Sequence, residues 1–105
     1  VYRAEYGGND RAVTDLEEKG FAKVICDSKG LILGAHIVGA EAGEIIHEYV
    51  LAKSSKVNIG KLSSTIHIYP TLAQIVKRTG DQYYTGILQS GWFKAFARLM
   101  LKFLR

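Results

Sequence analysis

The chain has 105 residues, 48% of them apolar, which is enough for one packed domain and excludes a disordered chain. Lys and Arg number 14 against 10 Asp and Glu, but residues 1–90 are neutral and the whole excess of +4 lies in Gly91–Arg105. A neutral body argues against a nucleic-acid-binding surface, the single cysteine excludes a disulfide framework or a Cys-based zinc site, and no apolar run is long enough for an ordinary transmembrane helix.

The first part of the sequence predicts antiparallel strands. Apolar patterns favour strands over Val1–Tyr6, Phe21–Cys26 and Leu31–Val38. The turn Asp27–Gly30, with Gly30 at a positive φ, is short enough to make the second and third strands an antiparallel hairpin. Because the third strand is apolar on both faces, we expect it to be central in its sheet.

Two helices are predicted further along. Gly43–Lys53 has a stripe at three-four spacing that can pack on the sheet, formed by Ala42, Ile45, Ile46, Tyr49, Val50 and Lys53. Thr71 and Gln74 fit a capping box that opens a second helix after Pro70, and Gly80 is expected to end it. The fold class is therefore α+β, an antiparallel β-sheet with helices packed on one face.

Isolated residue types carry little functional signal. His36, in an apolar strand, is expected to fill a hydrogen-bonded core or interface position, and His47, beside two glutamates, a solvated or ion-paired face. Cys26 is interpreted as a small hydrophobe in a strand. The histidines lack a metal-binding spacing and the glycines form no nucleotide-binding motif, so neither a metal nor a cofactor site is predicted within the chain.

Four segments in order carry a family resemblance: 9–12 (NDRA), 20–24 (GFAKV), 31–44 (LILGAHIVGAEAGE) and 66–74 (IHIYPTLAQ). They resemble the C-terminal dimerisation domain of the pyridine nucleotide-disulfide oxidoreductases, a family that includes dihydrolipoamide dehydrogenase, glutathione reductase and mercuric reductase. The resemblance implies a dimerisation domain over residues 1–79 and leaves residues 80–105 as an amphipathic, basic and helical tail.

The resemblance implies that the chain is a fragment of a cytoplasmic flavoprotein acting in redox homeostasis. The FAD domain, the NAD(P)H domain and the redox-active cysteine pair would precede Val1, so the fragment alone would bind no cofactor and be inactive. Its expected partners are a second copy, in a homodimer, and these missing domains. Electrons in the family pass from NAD(P)H through FAD to the disulfide and then to the substrate.

The family places one loop of this domain in the active site of the partner subunit. That loop reads His-x-His-Pro-Thr-x-x-Glu, where the second His is the acid/base and the Glu orients it. Here Pro70 and Thr71 keep the motif, but Tyr69 replaces the catalytic His and Gln74 replaces the Glu. A phenol titrates near ~10, so Tyr69 would donate a hydrogen bond at neutral pH and would not be a ready base. His67 keeps the first His of the motif and is a further candidate, expected on the same side as Tyr69.

Two interpretations of this departure stay open. A tyrosine at this slot is similar to mercuric reductase, where it lies near metal-binding thiols, so Tyr69 would act in a mercuric-reductase-like enzyme. Alternatively, Tyr69 only fills the space of the lost histidine, and the domain is a non-catalytic homodimerisation or interaction module.

The segment from Gly91 onward predicts a helix of about 15 residues. Its broad apolar face comprises Trp92, Phe93, Phe96, Leu99, Met100, Phe103 and Leu104, and its narrow basic stripe comprises Lys94, Arg98 and Lys102. Such a face should be covered, either by the domain itself, by the dimer partner or missing domains, or by a membrane surface. Packing on protein is the favoured interpretation, while the composition also fits a helix peripheral at the inner face of the membrane.

Overall fold

A computed structural model describes residues 1–88 and 91–103. Its elements are three strands, β1 (Tyr2–Glu5), β2 (Phe21–Cys26) and β3 (Ile32–Val38), and five α-helices, α1 (Asp10–Thr14), α2 (Ala42–Ser54), α3 (Ile59–Ser64), α4 (Gln74–Leu88) and α5 (Gly91–Phe103). A short 3₁₀ helix, Tyr6–Gly8, follows β1. The predicted α+β class, with an antiparallel sheet and packed helices, is confirmed.

The three strands form one antiparallel sheet in the order β1-β2-β3. Val24 of β2 faces Tyr2 on one side and Ala35 on the other. The expectation that the third strand is central is wrong, because β2 has this position and β3 lies at the edge of the described sheet. Leu33 and Val38 of β3 are exposed, so its second apolar face lies at a surface of this chain.

The core lies between one face of the sheet and helices α2 and α4. Ala22 and Val24 of β2 are fully buried against these helices, whereas Arg3 and Glu5 of β1 are exposed on the opposite face. Strand alternation accounts for this two-sidedness, since successive side chains point to opposite faces. The helices thus cover one face, as expected.

Fewer residues of helix α2 are buried in the core than the predicted apolar stripe contains. Ile45, Tyr49 and Ala52 are buried, but Val50, a predicted stripe residue, is exposed. The Tyr49 hydroxyl lies 2.5 Å from Thr79 Oγ1, and both side chains are buried. Since Thr79 donates to the Val76 carbonyl, Tyr49 is the donor, and this bond joins α2 to α4.

The predicted end of the second helix at Gly80 is wrong, because α4 continues to Leu88. Gly80 is buried in the middle of this helix, where a Cβ would lie 2.9 Å from the carbonyl oxygen of Ile59 and 2.9 Å from Ser63 N. The glycine is therefore needed for the close approach of α3 to α4, and it does not cap a helix.

The helix predicted from Gly91 is present as α5, which spans Gly91–Phe103. The predicted division of the chain between residues 79 and 80 falls inside α4 and stays a prediction. Leu104 and Arg105 of the predicted tail lie outside the described residues, as do the side chains of Trp92, Phe93 and Phe103. Among the described helices, none combines the length and apolar character needed to cross a membrane.

Candidate functional site

The connection between α3 and α4, residues 65–73, projects apolar side chains from the surface. We call it the α3–α4 loop. Ile66 is 90% exposed, Ile68 is 72% exposed and Tyr69 is 65% exposed. The Tyr69–Pro70 peptide bond is cis. Exposed apolar groups at three of four successive positions are typical of a surface that contacts another molecule.

The first half of the loop is attached to α2 through His67. Its Nε2 lies 2.6 Å from Glu48 Oε2, and its Nδ1 lies 2.9 Å from the Thr65 carbonyl oxygen. The His67 side chain is only 6% exposed. His67 thus has two close partners inside this chain, and the structure gives it the geometry of an anchor for the loop.

The second half of the loop is attached to α1. Asn9 Nδ2 donates to the Thr71 carbonyl oxygen at 3.1 Å, while Asn9 Oδ1 accepts from Ala12 N and caps α1. Arg11 Nη1 donates to the Pro70 carbonyl oxygen at 3.3 Å. Since α1 is held by the cap on one side and bonds the loop on the other, it fixes the backbone around Pro70.

The hydroxyl of Tyr69 is oriented by a carboxylate of the same helix. Tyr69 Oη donates to Asp10 Oδ2 at 2.7 Å. This hydrogen bond and the adjacent negative charge raise the pKa of Tyr69 above its usual value. The phenol is therefore protonated at neutral pH, so it can donate a hydrogen bond but is not a base there. His67 and Tyr69 bond to different helices, and the structure does not show them sharing a partner.

The predicted capping box at the start of α4 is half present. Gln74 Oε1 accepts from Thr71 N at 3.3 Å, as a capping box requires. The Thr71 hydroxyl instead donates to the Ile68 carbonyl oxygen at 2.6 Å, so that half of the prediction is wrong. Gln74 thus braces the turn that follows Pro70, and α4 begins three residues after Thr71.

A cavity of about 220 Å³ lies beside the Tyr69 hydroxyl. Asp10, Tyr69 and Gln74 line it together with Lys77 and Arg78 of α4. Lys77 pairs with Asp81 at 3.1 Å and Arg78 donates to the Gly8 carbonyl oxygen, so both cations are engaged within the chain. The cavity therefore offers polar groups and one phenol, next to an exposed apolar loop.

The remaining candidates lie apart from this site. His36 is exposed on β3, so its predicted core position is wrong; it lies in register with Lys23 and Arg3 on the face of the sheet opposite the helices. An interface position stays a prediction. His47 is exposed, as expected. Cys26 is half-buried against the core, where burial raises the pKa of its thiol. Within the described residues, no three His, Cys, Asp or Glu side chains come together as a metal site.

Sequence reasoning missed the role of α1. The contacts of Asn9, Asp10 and Arg11 with residues 69–71 join positions about 60 apart in the chain, and no local pattern in either segment indicates them.

Comparison with known proteins identifies the same dimerisation domain that the sequence motifs resemble. The family described as "Pyridine nucleotide-disulphide oxidoreductase, dimerisation domain" matches residues 1–79. A dihydrolipoyl dehydrogenase of Corynebacterium glutamicum is 44% identical over 73 residues, which are 69% of this chain and 16% of that protein. The dihydrolipoyl dehydrogenase of Rhizobium etli is 35% identical over 91 residues, which are 86% of this chain and 19% of the relative.

The fold is also found in a solved structure. LpdA of Mycobacterium tuberculosis superposes with a TM-score of 0.73 and 24% identity, over 77% of this chain and 18% of that one. The chain thus spans less than a fifth of the length of each of these proteins. The likeness concerns one domain of much larger proteins.

Proposed function

Since the chain belongs to the pyridine nucleotide-disulphide oxidoreductase family, as its dimerisation domain, we propose that it is part of an FAD-dependent, NAD(P)H-linked oxidoreductase that acts as a homodimer. The relatives are named dihydrolipoyl dehydrogenases, which are oxidoreductases. The observation that carries the proposal is the α3–α4 loop, which is exposed and apolar and yet is braced by α1 and α2. A loop of this kind suits insertion into a partner subunit.

The cofactors belong, in this proposal, to parts of the enzyme outside the chain. Some glycines of the described residues leave no room for a Cβ, and at these positions the space is filled by the chain itself. Gly39 packs against the Tyr6 ring, and Gly80 packs against the Ile59 backbone. They form no open cradle for a nucleotide phosphate. These residues therefore do not fit FAD or NAD(P)H by themselves, and the isolated domain would be inactive.

The role of the loop is to present the Tyr69 hydroxyl to a substrate bound in the partner's active site. The Tyr69 phenol is protonated at neutral pH, and the hydrogen bond to Asp10 and its negative charge raise the pKa of Tyr69 further. On substrate binding its one O–H would turn from Asp10 to the substrate, so Tyr69 would supply a hydrogen bond and not accept a proton. This is the mercuric-reductase-like part of the proposal. Asp10 is a positioning residue, since its carboxylate accepts the hydrogen bond of the Tyr69 hydroxyl, whereas Gln74 holds the backbone of the turn.

A non-catalytic dimerisation module is the second candidate function. The loss of both family side chains, the His at position 69 and the Glu at position 74, favours it. Both candidates predict a dimer, so only a rate measurement separates them.

The test uses the full-length protein, with NADH or NADPH as donor and lipoamide or Hg²⁺ as probe acceptor. Tyr69→Phe should lower the reduction rate about tenfold or more. Tyr84→Phe is the control, because Tyr84 lies on α4 away from the loop. Asp10→Asn should shift the alkaline limb of the rate profile to lower pH, since it removes the charge that raises the pKa of Tyr69. If Tyr69→Phe and Asp10→Asn remain dimeric and keep the wild-type rates and pH profiles, the catalytic role is refuted and the non-catalytic dimerisation module is the function that remains.

A further inference from the structure

Helix α5 presents apolar side chains that are about half exposed in the described part of the chain. Phe96, Leu99, Met100 and Leu101 are each between 46% and 61% exposed. Packing on its own domain, one of the predicted covers for this helix, therefore leaves about half of Leu99, Met100 and Leu101 uncovered. The others, a protein partner and a membrane, are not tested by their exposure alone.

The exposed residues of α5 are sorted into two faces. At 100° per residue, Lys94, Arg98 and Lys102 fall within an arc of 80°, and all three are exposed. Phe96, Leu99 and Met100 fall within an arc of 100° on the opposite side. Leu101 lies beside the basic arc. The helix is thus apolar on one side and cationic on the other.

The charge on this helix is not balanced within the chain. Residues 91–105 contain no Asp or Glu, whereas residues 1–90 carry equal numbers of acidic and basic side chains. The surface that α5 contacts should therefore combine apolar groups with negative charge. Packing against a second copy of α5 would bury the apolar face, but it would place two cationic helices together.

We propose that α5 binds an anionic membrane surface. The helix lies in the plane of the interface, with Phe96, Leu99 and Met100 towards the acyl chains and Lys94, Arg98 and Lys102 at the level of the headgroups. Its 13 residues have a length of about 20 Å, which suits lying on a bilayer better than crossing it. Because anionic lipids are concentrated in the cytoplasmic leaflet, the protein is cytoplasmic and peripheral at that leaflet.

The test is sedimentation of the purified protein with vesicles of phosphatidylcholine alone or of equimolar phosphatidylcholine and phosphatidylglycerol. We expect binding to the anionic vesicles that weakens with added salt. Replacing Lys94, Arg98 and Lys102 together by Gln should weaken that binding on the order of a hundredfold, at about fivefold for each charge. The matched control replaces three exposed lysines of the body, Lys19, Lys29 and Lys56, by Gln and should bind like wild type.

Leu99→Gln examines the apolar face and should also reduce binding, because it removes an apolar side chain from the acyl region. Equal binding to both vesicle types, or no binding to either, would overturn the proposal. So would equal losses in the two triple variants, which would indicate a general charge effect. Self-association that Leu99→Gln abolishes, without vesicle binding, would assign the face to a second copy. None of these outcomes bears on the reductase assay, which concerns a different loop.

Discussion

Replacement of Asn9 separates the two tasks of its side chain. Asn9 is buried, caps α1 through Oδ1 and holds the α3–α4 loop through Nδ2. In Asn9→Ala both bonds are lost, whereas Asn9→Asp keeps an oxygen acceptor for the cap and loses only the donor. The carboxylate of the Asp variant would also face the carbonyl oxygen of Thr71, which adds repulsion.

The expected costs follow from the two bonds. The loss of an N-cap costs about 1 kcal/mol, and the loss of one buried hydrogen bond costs about 1 kcal/mol more. Asn9→Ala should therefore lower the free energy of unfolding by about 2 kcal/mol. Asn9→Asp should lower it by more than about 1 kcal/mol, because the repulsion between its buried carboxylate and the Thr71 carbonyl adds to the lost bond. In a domain of this size each kcal/mol corresponds to about 4–8 °C in the melting temperature.

The assay is denaturant unfolding of the purified variants, combined with hydrogen exchange of the amides of residues 65–73. Both Asn9 variants should speed exchange in the loop. Asn58→Ala is the matched control, because Asn58 caps α3 through Gly60 N and does not touch the loop. It should destabilise the chain without a selective effect on the loop. Wild-type stability of Asn9→Asp, together with unchanged exchange, would refute the role of Asn9 as a tether.

Two further predictions concern the core. Tyr49→Phe should cost about 1 kcal/mol at neutral pH, because it removes the bond to Thr79. Burial raises the pKa of Tyr49 above 10, so the hydroxyl loses its proton on unfolding when the pH exceeds 10. The contribution of Tyr49 to wild-type stability then falls by about 1.4 kcal/mol for each further pH unit, and Tyr49→Phe lacks this fall. Equal slopes of stability against pH in the variant and the wild type would contradict this. Gly80→Ala should destabilise the chain by about 1–3 kcal/mol, because the added Cβ would clash with the α3 backbone. Gly86→Ala is in the same helix but has open space around it, so it should stabilise the chain by up to about 1 kcal/mol. Equal shifts of the melting temperature in the two variants would show that packing is not the cause.

The elements that the sequence predicted well depend on neighbours in the chain. Strand β2 and the turn at Gly30, which has φ +86°, follow from an apolar run and a glycine placed for a positive φ. The start of α2 follows in the same way from its apolar spacing. Each of these signals lies within a dozen residues, so no tertiary information was needed.

The errors arise where distant segments meet. An edge strand with an exposed apolar face has the same pattern of apolar residues as a central strand, so this pattern wrongly predicts a central position for β3. Gly80 has the local signature of a helix end, but the backbone of α3 is what requires it. The bond between Tyr69 and Asp10 joins positions 59 apart, and no local pattern in either segment predicts it.

The bonds between α1 and the α3–α4 loop also affect the order in which the protein acquires its structure. They join residues 59 to 63 positions apart, across β2, β3, α2 and α3. Closing so long a stretch of chain costs entropy that local helices and hairpins do not incur, so such contacts form late. The shape of the loop is therefore completed only when the rest of the domain has folded. A nascent chain would therefore lack the folded form of this loop until synthesis and folding of α1 through α4 had finished.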